Sequence, residues 1–410
     1  MVDIDRRKFL KTASAASVAG LAGCTGGGGG GAGRTIKLGI LLPETGDLGP
    51  LGKPMIKAGE LAIGMVQDAD IPFEVDYTVQ DTQTKQSAGI SGANSLVNAG
   101  YPAVVGPASS GINIPVCKQV FIPNEVVGIS PSSTAPTVTN LQDNDYIFRT
   151  APSDKLQGQV LAQIAYEELG DRTASTMYVN NDYGQGLSQS FASAFKNRGG
   201  TVQQTVSFAK KQSSYTSRLE RALSGDPDVL VVIGYPESGV QLFKDYYGNY
   251  DPNRDILVTD GLKSDKLPDK VGHSMTNVGG SSPLASGPAR DAFNSAFKSE
   301  YGNEPGVFTS HTFDAAATVM LANARAGENT GTAVRDSMRP AANPGGTTVG
   351  PNNLPKGLEM AANGDDVKYE GASSAVDFDD NGDMKAVTYE YFKFTKAGDT
   401  RTVKKIPFGQ

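Results

Sequence analysis

Tryptophan is absent from the 410 residues, and cysteine and histidine occur only twice each. Two cysteines, Cys24 and Cys117, are too few for a disulfide scaffold or a cysteine-ligated metal site. The histidines, His273 and His311, stand far apart and form no metal-ligand spacing. Basic residues are in deficit, 37 Lys and Arg against 44 Asp and Glu, which argues against a nucleic-acid partner met by a basic stripe. Apolar runs of the roughly 20 residues that cross a bilayer are missing as well. Charge is also scarce locally: between Gln86 and Gln142 only Lys118 and Glu125 carry it. That stretch is rich in Gly, Ser, Thr, Asn and Pro, so it offers neutral hydrogen-bonding groups. What remains is an acidic, α/β-sized globular chain, long enough for two or three domains.

The chain begins Asp5-Arg6-Arg7-Lys8-Phe9-Leu10-Lys11, followed by a small-apolar run ending Leu21-Ala22-Gly23-Cys24. A positive start, a short apolar stretch and small residues before a cut are the parts of an export signal, expected here over residues 1–23. The Arg-Arg-Lys-Phe-Leu-Lys segment resembles a twin-arginine signal, with Asp5 where Ser or Thr is usual. Leu-Ala-Gly-Cys resembles a lipobox, which implies lipidation of Cys24. The glycines Gly26–Gly31 cannot hold a helix, so residues 24–33 are expected to form a flexible tether. Without the leader the chain carries 33 basic against 42 acidic residues. Cys117 reads as a packed apolar thiol.

From Thr35 onward, β-like runs alternate with helix-length amphipathic stretches. Strands are expected at Ile36–Leu42, Phe73–Gln80, Ala103–Val105 and Val126–Ile129, with helices near Lys53–Gln67 and Ser87–Asn98. After a connection through Tyr146–Thr150 the pattern restarts, with strands at Ser175–Asn180, Thr201–Phe208, Val229–Ile233 and Ile256–Thr259. Helices Gln185–Asn197, Tyr215–Leu223 and Ser238–Tyr247 intervene. Two successive α/β series argue for two similar lobes, each a parallel sheet covered by helices. The near-continuous apolar run Val229–Ile233 fits a strand covered on both faces. Helices Arg290–Tyr301 and Thr309–Ala326 precede a Gly/Pro/Asn-rich region at Ala341–Pro355, and a hairpin is expected around Asn381-Gly382.

Several chemical motifs fail. Asp377-x-Asp379-x-Asn381-Gly382 imitates a calcium loop, but its twelfth position is Thr388 where a bidentate Glu is needed, and a turn is the better reading. No phosphate-binding loop or nucleophile elbow occurs, and no carboxylates are paired in a hydrolase pattern. No cofactor is implied, and an enzyme is not expected.

Four segments then stand together: Gly106-Pro107-Ala108-Ser109-Ser110-Gly111, Ser130-Pro131-Ser132-Ser133-Thr134-Ala135-Pro136, Asn181-Asp182-Tyr183-Gly184-Gln185-Gly186 and Gly234-Tyr235-Pro236-Glu237. Echoes follow at Ile147–Asp154, Thr259-Asp260-Gly261 and Asp377-Phe378-Asp379. In this order they resemble the substrate-binding lipoproteins of ABC transporters for branched-chain amino acids. The resemblance covers essentially the whole mature chain and implies the type I periplasmic-binding-protein fold. In that fold two Rossmann-like α/β lobes are joined by a three-strand hinge. One lobe would be 34–150 plus 281–374, the other 151–280 plus 375–410, with crossings near Arg149–Ala151, near Gly279–Ser282 and before Asp377.

A free amino acid carries a carboxylate and an ammonium, and a closed cleft must replace the water around both. The resemblance implies that Ser110, Ser132 and Thr134, in the uncharged stretch, meet the carboxylate; each also reads as a helix cap or turn residue. Asp260 would accept the ammonium, although on sequence alone Asp260-Gly261 is an ordinary turn. Tyr183 and Tyr235 would line the second lobe, and either is equally readable as a half-buried loop tyrosine. Leu51 falls where some relatives carry a bulky aromatic. The expected function is a receptor, lipid-anchored outside the cell, that delivers an amino acid to the permease and ATPase subunits of an ABC importer. The same fold binding an amide, urea or an aromatic acid, and a sensory ligand-binding receptor, stay open.

Overall fold

The computed structural model describes residues 34–409. The expected export signal, the lipidation site Cys24 and the glycine tether lie outside the described residues. β1 (Arg34–Leu42) carries the fully buried Ile36, Leu38 and Ile40. α1 (Gly49–Gln67) begins four residues before the expected Lys53, because Pro50 occupies its first turn, where a missing N–H costs nothing. Then come β2 (Phe73–Asp81), α2 (Gln86–Asn98), β3 (Ala103–Val105), α3 (Ser110–Val116), β4 (Val127–Ser130) and β5 (Ile147–Arg149). The five strands form a parallel sheet in the order β2-β1-β3-β4-β5. β5 forms where a plain connection was expected; three residues are too few to show a period, yet all three are buried. Cys117 is a buried free thiol whose pKa burial pushes upward.

The second series runs α4 (Asp154–Gln163), β6 (Thr173–Val179), α5 (Asp182–Asn197), β7 (Thr201–Phe208), α6 (Thr216–Leu223), β8 (Val229–Ile233), α7 (Pro236–Asn249), β9 (Asp255–Val258), α8 (Leu267–Val271) and β10 (Val278–Pro283). The five residues of β8 are all buried, as its apolar run requires. α5 starts at Asp182 because the Asn181 side chain accepts the Gly184 N–H at 3.0 Å. The chain then returns to the first sheet through α9 (Arg290–Tyr301) and α10 (Thr309–Ala326), which packs on α1 and β1 and is buried from Thr309 to Ala324. α11 (Gly331–Ala342), β11 (Thr347–Val349), α12 (Leu354–Ala362) and β12 (Val367–Tyr369) follow, the two strands pairing in parallel.

β13 (Val387–Phe394) and β14 (Thr400–Phe408) close a seven-stranded sheet in the order β14-β13-β10-β9-β8-β6-β7, antiparallel only at β13 and β14. The main hairpin therefore turns between Phe394 and Thr400, not at Asn381-Gly382 as expected. The latter pair does form a turn, with Asp379 accepting the Asn381 N–H at 2.8 Å and the Asp383 N–H at 3.0 Å, but it closes only the bridge Phe378–Met384. Its local chemistry was read correctly and its partner strands were not.

The chain crosses between the sheets after β5, after β10 and before β13. Arg149 ties the first crossing to the third. Its guanidinium, wholly buried, donates to Asp383 Oδ1 and Oδ2 at 2.5 and 2.7 Å, to the carbonyls of Ser133 and Ala135 at 3.2 and 3.1 Å, and to Thr139 Oγ1 at 2.8 Å. Breaking a buried pair on one side strands the other charge. Arg149→Met should therefore lower unfolding free energy by about 3 kcal/mol or more in a denaturant titration; a loss below about 0.5 kcal/mol would contradict a structural tie at the crossings.

Candidate ligand-binding site

The carboxyl ends of β1, β3 and β4 in one sheet face those of β8 and β9 in the other, and a cavity of about 370 Å³, its open mouth included, lies between them. That is the position expected of a ligand site in an open α/β sheet. From the first sheet's side come Pro43, Leu48, Leu51, Gly52, Met55, Ala108, Ser109, Ser110, Ser132 and Phe308. From the second come Tyr183, Tyr235, Asp260 and Gly261. Two close approaches shape the walls. A Cβ on Gly52 would meet the Pro43 carbonyl oxygen at 1.8 Å, so only glycine lets α1 press its Leu51–Met55 face against the end of β1. A Cβ on Gly261 would meet the Gly234 carbonyl oxygen at 2.3 Å, which keeps the Asp260 turn beside the Tyr235 loop.

The wall is divided by polarity. Leu48, Leu51, Met55, Ala108 and Phe308 make one apolar side. The other is built by hydroxyls of the uncharged stretch. Ser110 Oγ accepts from the Ala135 N–H and the Ser133 hydroxyl, both at 3.2 Å. Ser132 Oγ donates to the Ala108 carbonyl at 3.2 Å, and Ser130 Oγ to that of Pro107 at 2.6 Å. These bonds lace the loops after β3 and β4 into one polar shelf.

Two tyrosines close the opposite side. Tyr183 and Tyr235 stack with centroids 5.6 Å apart and planes 8° from parallel. The Tyr235 hydroxyl accepts from Asn181 Nδ2 at 2.8 Å and so has its own proton free for Ser109 Oγ, 2.9 Å away across the cleft. The Tyr183 hydroxyl pairs with Thr259 Oγ1 at 2.6 Å and lies 3.5 Å from Asp260 Oδ2.

Asp260 dominates the electrostatics. Its carboxylate is 3% exposed, its Oδ1 has no hydrogen-bond partner among the described residues, and no salt bridge neutralises it. Burial pushes its pKa up to about 6, against the pull of hydrogen bonds from Gln157 and Tyr183. Behind it stands Asp154, at the start of α4, wholly buried with both carboxylate oxygens unpartnered among the described residues. Burial first, and then the Asp260 charge, push the Asp154 pKa well above the usual carboxylate range. Two buried carboxyl groups thus stand at the site with no salt-bridge partner among the described residues.

Five of the six side chains singled out from the sequence, Ser110, Ser132, Tyr183, Tyr235 and Asp260, line this one cavity. Thr134 does not: its hydroxyl is buried without a partner among the described residues, and its carbonyl accepts the Asp154 N–H at 2.8 Å. Sequence reasoning missed Ser109, Asn181 and Asp154, each inside or beside a segment already singled out. It also missed Leu48, Met55 and Phe308, which look like ordinary core residues until the fold brings them to one wall.

A family model described as "Periplasmic binding protein" matches residues 35–353. The chain belongs to this family. Membership makes it a binding protein, not an enzyme, and places it outside the cytoplasm. Among its relatives is the "Chemotactic signal transduction system substrate-binding protein BasB" of Halobacterium salinarum, 26% identical over 91% of this chain and 90% of that one. Another is the "Leu/Ile/Val-binding protein homolog 1" of Brucella abortus, 27% identical over 89% of this chain and 91% of that one. The branched-chain amino acid transporter substrate-binding protein LivJ of Streptococcus pneumoniae, solved with isoleucine, superposes with a TM-score of 0.73 at 21% identity, covering 91% and 99% of the two chains. A solute-binding protein of R. palustris solved with benzoate gives 0.68 at 17% identity, covering 91% and 96%. At these identities the structural likeness shows the fold, two α/β lobes of the type I periplasmic binding protein.

Removing the Tyr235 hydroxyl leaves Ser109 and Asn181 each short of a partner while keeping the ring stack. Tyr235→Phe should cost about 1–2 kcal/mol in unliganded stability. A change below about 0.3 kcal/mol would mean that the hydroxyl bridges nothing of consequence.

Proposed function

We propose that this periplasmic binding protein captures a free amino acid with an aliphatic, branched side chain and delivers it to an ABC importer. The observation that supports this reading most is the buried Asp260 carboxylate without a counter-ion, set opposite a shelf of hydroxyls in a cavity with one apolar side. An ammonium would supply the missing charge. The hydroxyls and backbone N–H groups around Ser110 and Ser132 would take the carboxylate, and Leu48, Leu51, Met55 and Phe308 would pack the side chain. Thr134 would act from behind the shelf, and Tyr183 and Tyr235 would cover the ligand from the second lobe. Holding Asp260 ionised at neutral pH costs about 3 kcal/mol, which a bound ammonium relieves. Binding would favour closure of 34–150 with 281–374 against 151–280 with 375–410, because only the closed state offers both sets of contacts. An aromatic acid such as the benzoate of the R. palustris protein would bring a second negative charge to Asp260 and is disfavoured.

A second reading keeps the ligand and changes the recipient. The Halobacterium relative is named for a chemotactic signal transduction system, so the loaded protein would present itself to a membrane transducer instead of a permease. In either case we infer that residues 1–23 are removed and that Cys24 is lipidated. Cys24→Ser should then shift the protein from the membrane fraction to the medium, and retention in the membrane fraction would defeat the anchor.

Thermal unfolding against leucine, isoleucine, valine, amides, urea and benzoate tests the ligand class. A true ligand at 100-fold over its Kd should add about 2.7 kcal/mol, and stabilisation by benzoate or urea alone would overturn the reading. Asp260→Asn should weaken amino-acid binding by roughly 10- to 150-fold, the value of a charged hydrogen bond. Affinity should also follow the ionisation of Asp260. The ligand ammonium stays charged as pH falls, while the carboxylate of the free protein is lost through about 6. Kd should therefore be flat above about pH 7 and rise about tenfold per unit below 6. A Kd unchanged down to pH 5 would remove Asp260 from the contact.

A further inference from the structure

A second set of contacts crosses the cleft at the rim of the cavity, and none of its bonds needs a ligand. Helix α7 starts beside the cavity with Tyr235 at its N-cap, and the Tyr235 side chain makes no capping hydrogen bond. Pro236 has no N–H to satisfy, and the third helical residue, Ser238, presents one of the donors that a cap would normally meet. The acceptor comes from the opposite lobe. Asp47, in the loop between β1 and α1, takes the Ser238 N–H on Oδ1 at 2.8 Å and the Ser238 hydroxyl on Oδ2 at 2.7 Å. Ser238 Oγ in turn accepts the Lys211 N–H at 3.0 Å. Beside this chain, Lys210 Nζ donates to the Thr84 carbonyl at 2.6 Å, again from the second lobe to the first. Thr84 Oγ1 accepts the Leu48 N–H at 3.0 Å, which joins the two first-lobe loops into one receiving surface.

We propose that Asp47 is a positioning residue for ligand capture, which caps helix α7 in trans and thereby holds the two walls of the cavity together. The placement is specific. Leu48, next to Asp47, and Tyr235, three residues before Ser238, both line the cavity, so the bond fixes one wall against the other within one turn of chain on each side. Asp47 and Ser238 are each 1% exposed. Opening the cleft would leave α7 without a side-chain cap and return Asp47 to water. Burial pushes the Asp47 pKa up, while the Ser238 bonds and the Lys210 and Lys211 charges pull it down. The latch adds to the stability of the closed state whatever the ligand is. Its effect is on how long a captured molecule stays, not on which molecule is chosen.

The inference rests on the proposed function only for the ligand offered in the test. Dissociation and association rates are measured by stopped flow for whichever amino acid stabilises the wild type, with Asp47→Ala, Asp47→Asn and Lys210→Met. Asp47→Ala should raise the dissociation rate about tenfold, the equivalent of one lost helix cap, and leave association within about twofold. Asp47→Asn, which keeps an acceptor for the Ser238 N–H, should restore most of the residence time. Lys210→Met should give a smaller rise, and the ranking of ligands should be the same in all four proteins. Equal dissociation rates in wild type and Asp47→Ala would overturn the proposal, and so would a changed ligand ranking. If no amino acid binds the wild type, the ligand reading falls and the latch is decided by inter-lobe distance distributions from single-molecule fluorescence. A closed fraction lower in Asp47→Ala than in wild type supports the latch, and identical distributions contradict it. Far-ultraviolet dichroism and a melting curve for each variant separate loss of the latch from loss of the fold.

Discussion

A carboxylate that has been taken out of water without a salt-bridge partner among the described residues organises this molecule's cleft. Asp260 lies at the end of β9, in the wall of the cleft, at 3% exposure and with one oxygen unpaired among the described residues. Proteins seldom leave such a charge uncompensated. The neighbouring acid does not help: Asp154 is itself wholly buried, and burial and the Asp260 charge push its pKa up. The fold around the pair is correspondingly firm. Arg149 and Asp383 bind the chain crossings, and the stacked tyrosines hold the Asp260 loop against the second sheet. The Asp260 carboxylate is thus held in a packed wall.

The other half of the cleft works by neutral groups. A stretch of sequence nearly free of charge supplies Ser109, Ser110 and Ser132, and their hydroxyls are already engaged with neighbouring loops. A lysine there would form an ion pair with Asp260 and remove its unpaired charge. Scarcity of charge over residues 86–142, where only Lys118 and Glu125 carry it, is therefore part of the electrostatic design.

Much of this could be read from the sequence, and the failures have physical causes. β8, one sustained apolar run, was located to the residue, because burial on both faces leaves a continuous signal. β5 and β11 have three residues each, too few for any period. The hairpin was misplaced because β14 is exposed along most of its length, so no hydrophobic alternation marks it, while Asn381-Gly382 gives a strong local turn signal. Residues carried by short motifs at strand ends, such as Ser110, Tyr235 and Asp260, come together on one cavity. Thr134 does not line that cavity, and its motif does not say which way the loop faces. Phe308 and Asp47 carried no signal at all. One becomes a wall only when α10 packs on α1, and the other becomes a cap only when the lobes meet.

The most direct measurement compares leucine with 4-methylpentanoate, its analogue without the amino group, by isothermal titration at pH 7.5. If the unpaired Asp260 charge is what the cleft is built to satisfy, leucine binds and the deaminated acid binds at least tenfold more weakly, with the gap closing in Asp260→Asn. Equal affinity for the two in the wild-type protein would contradict it.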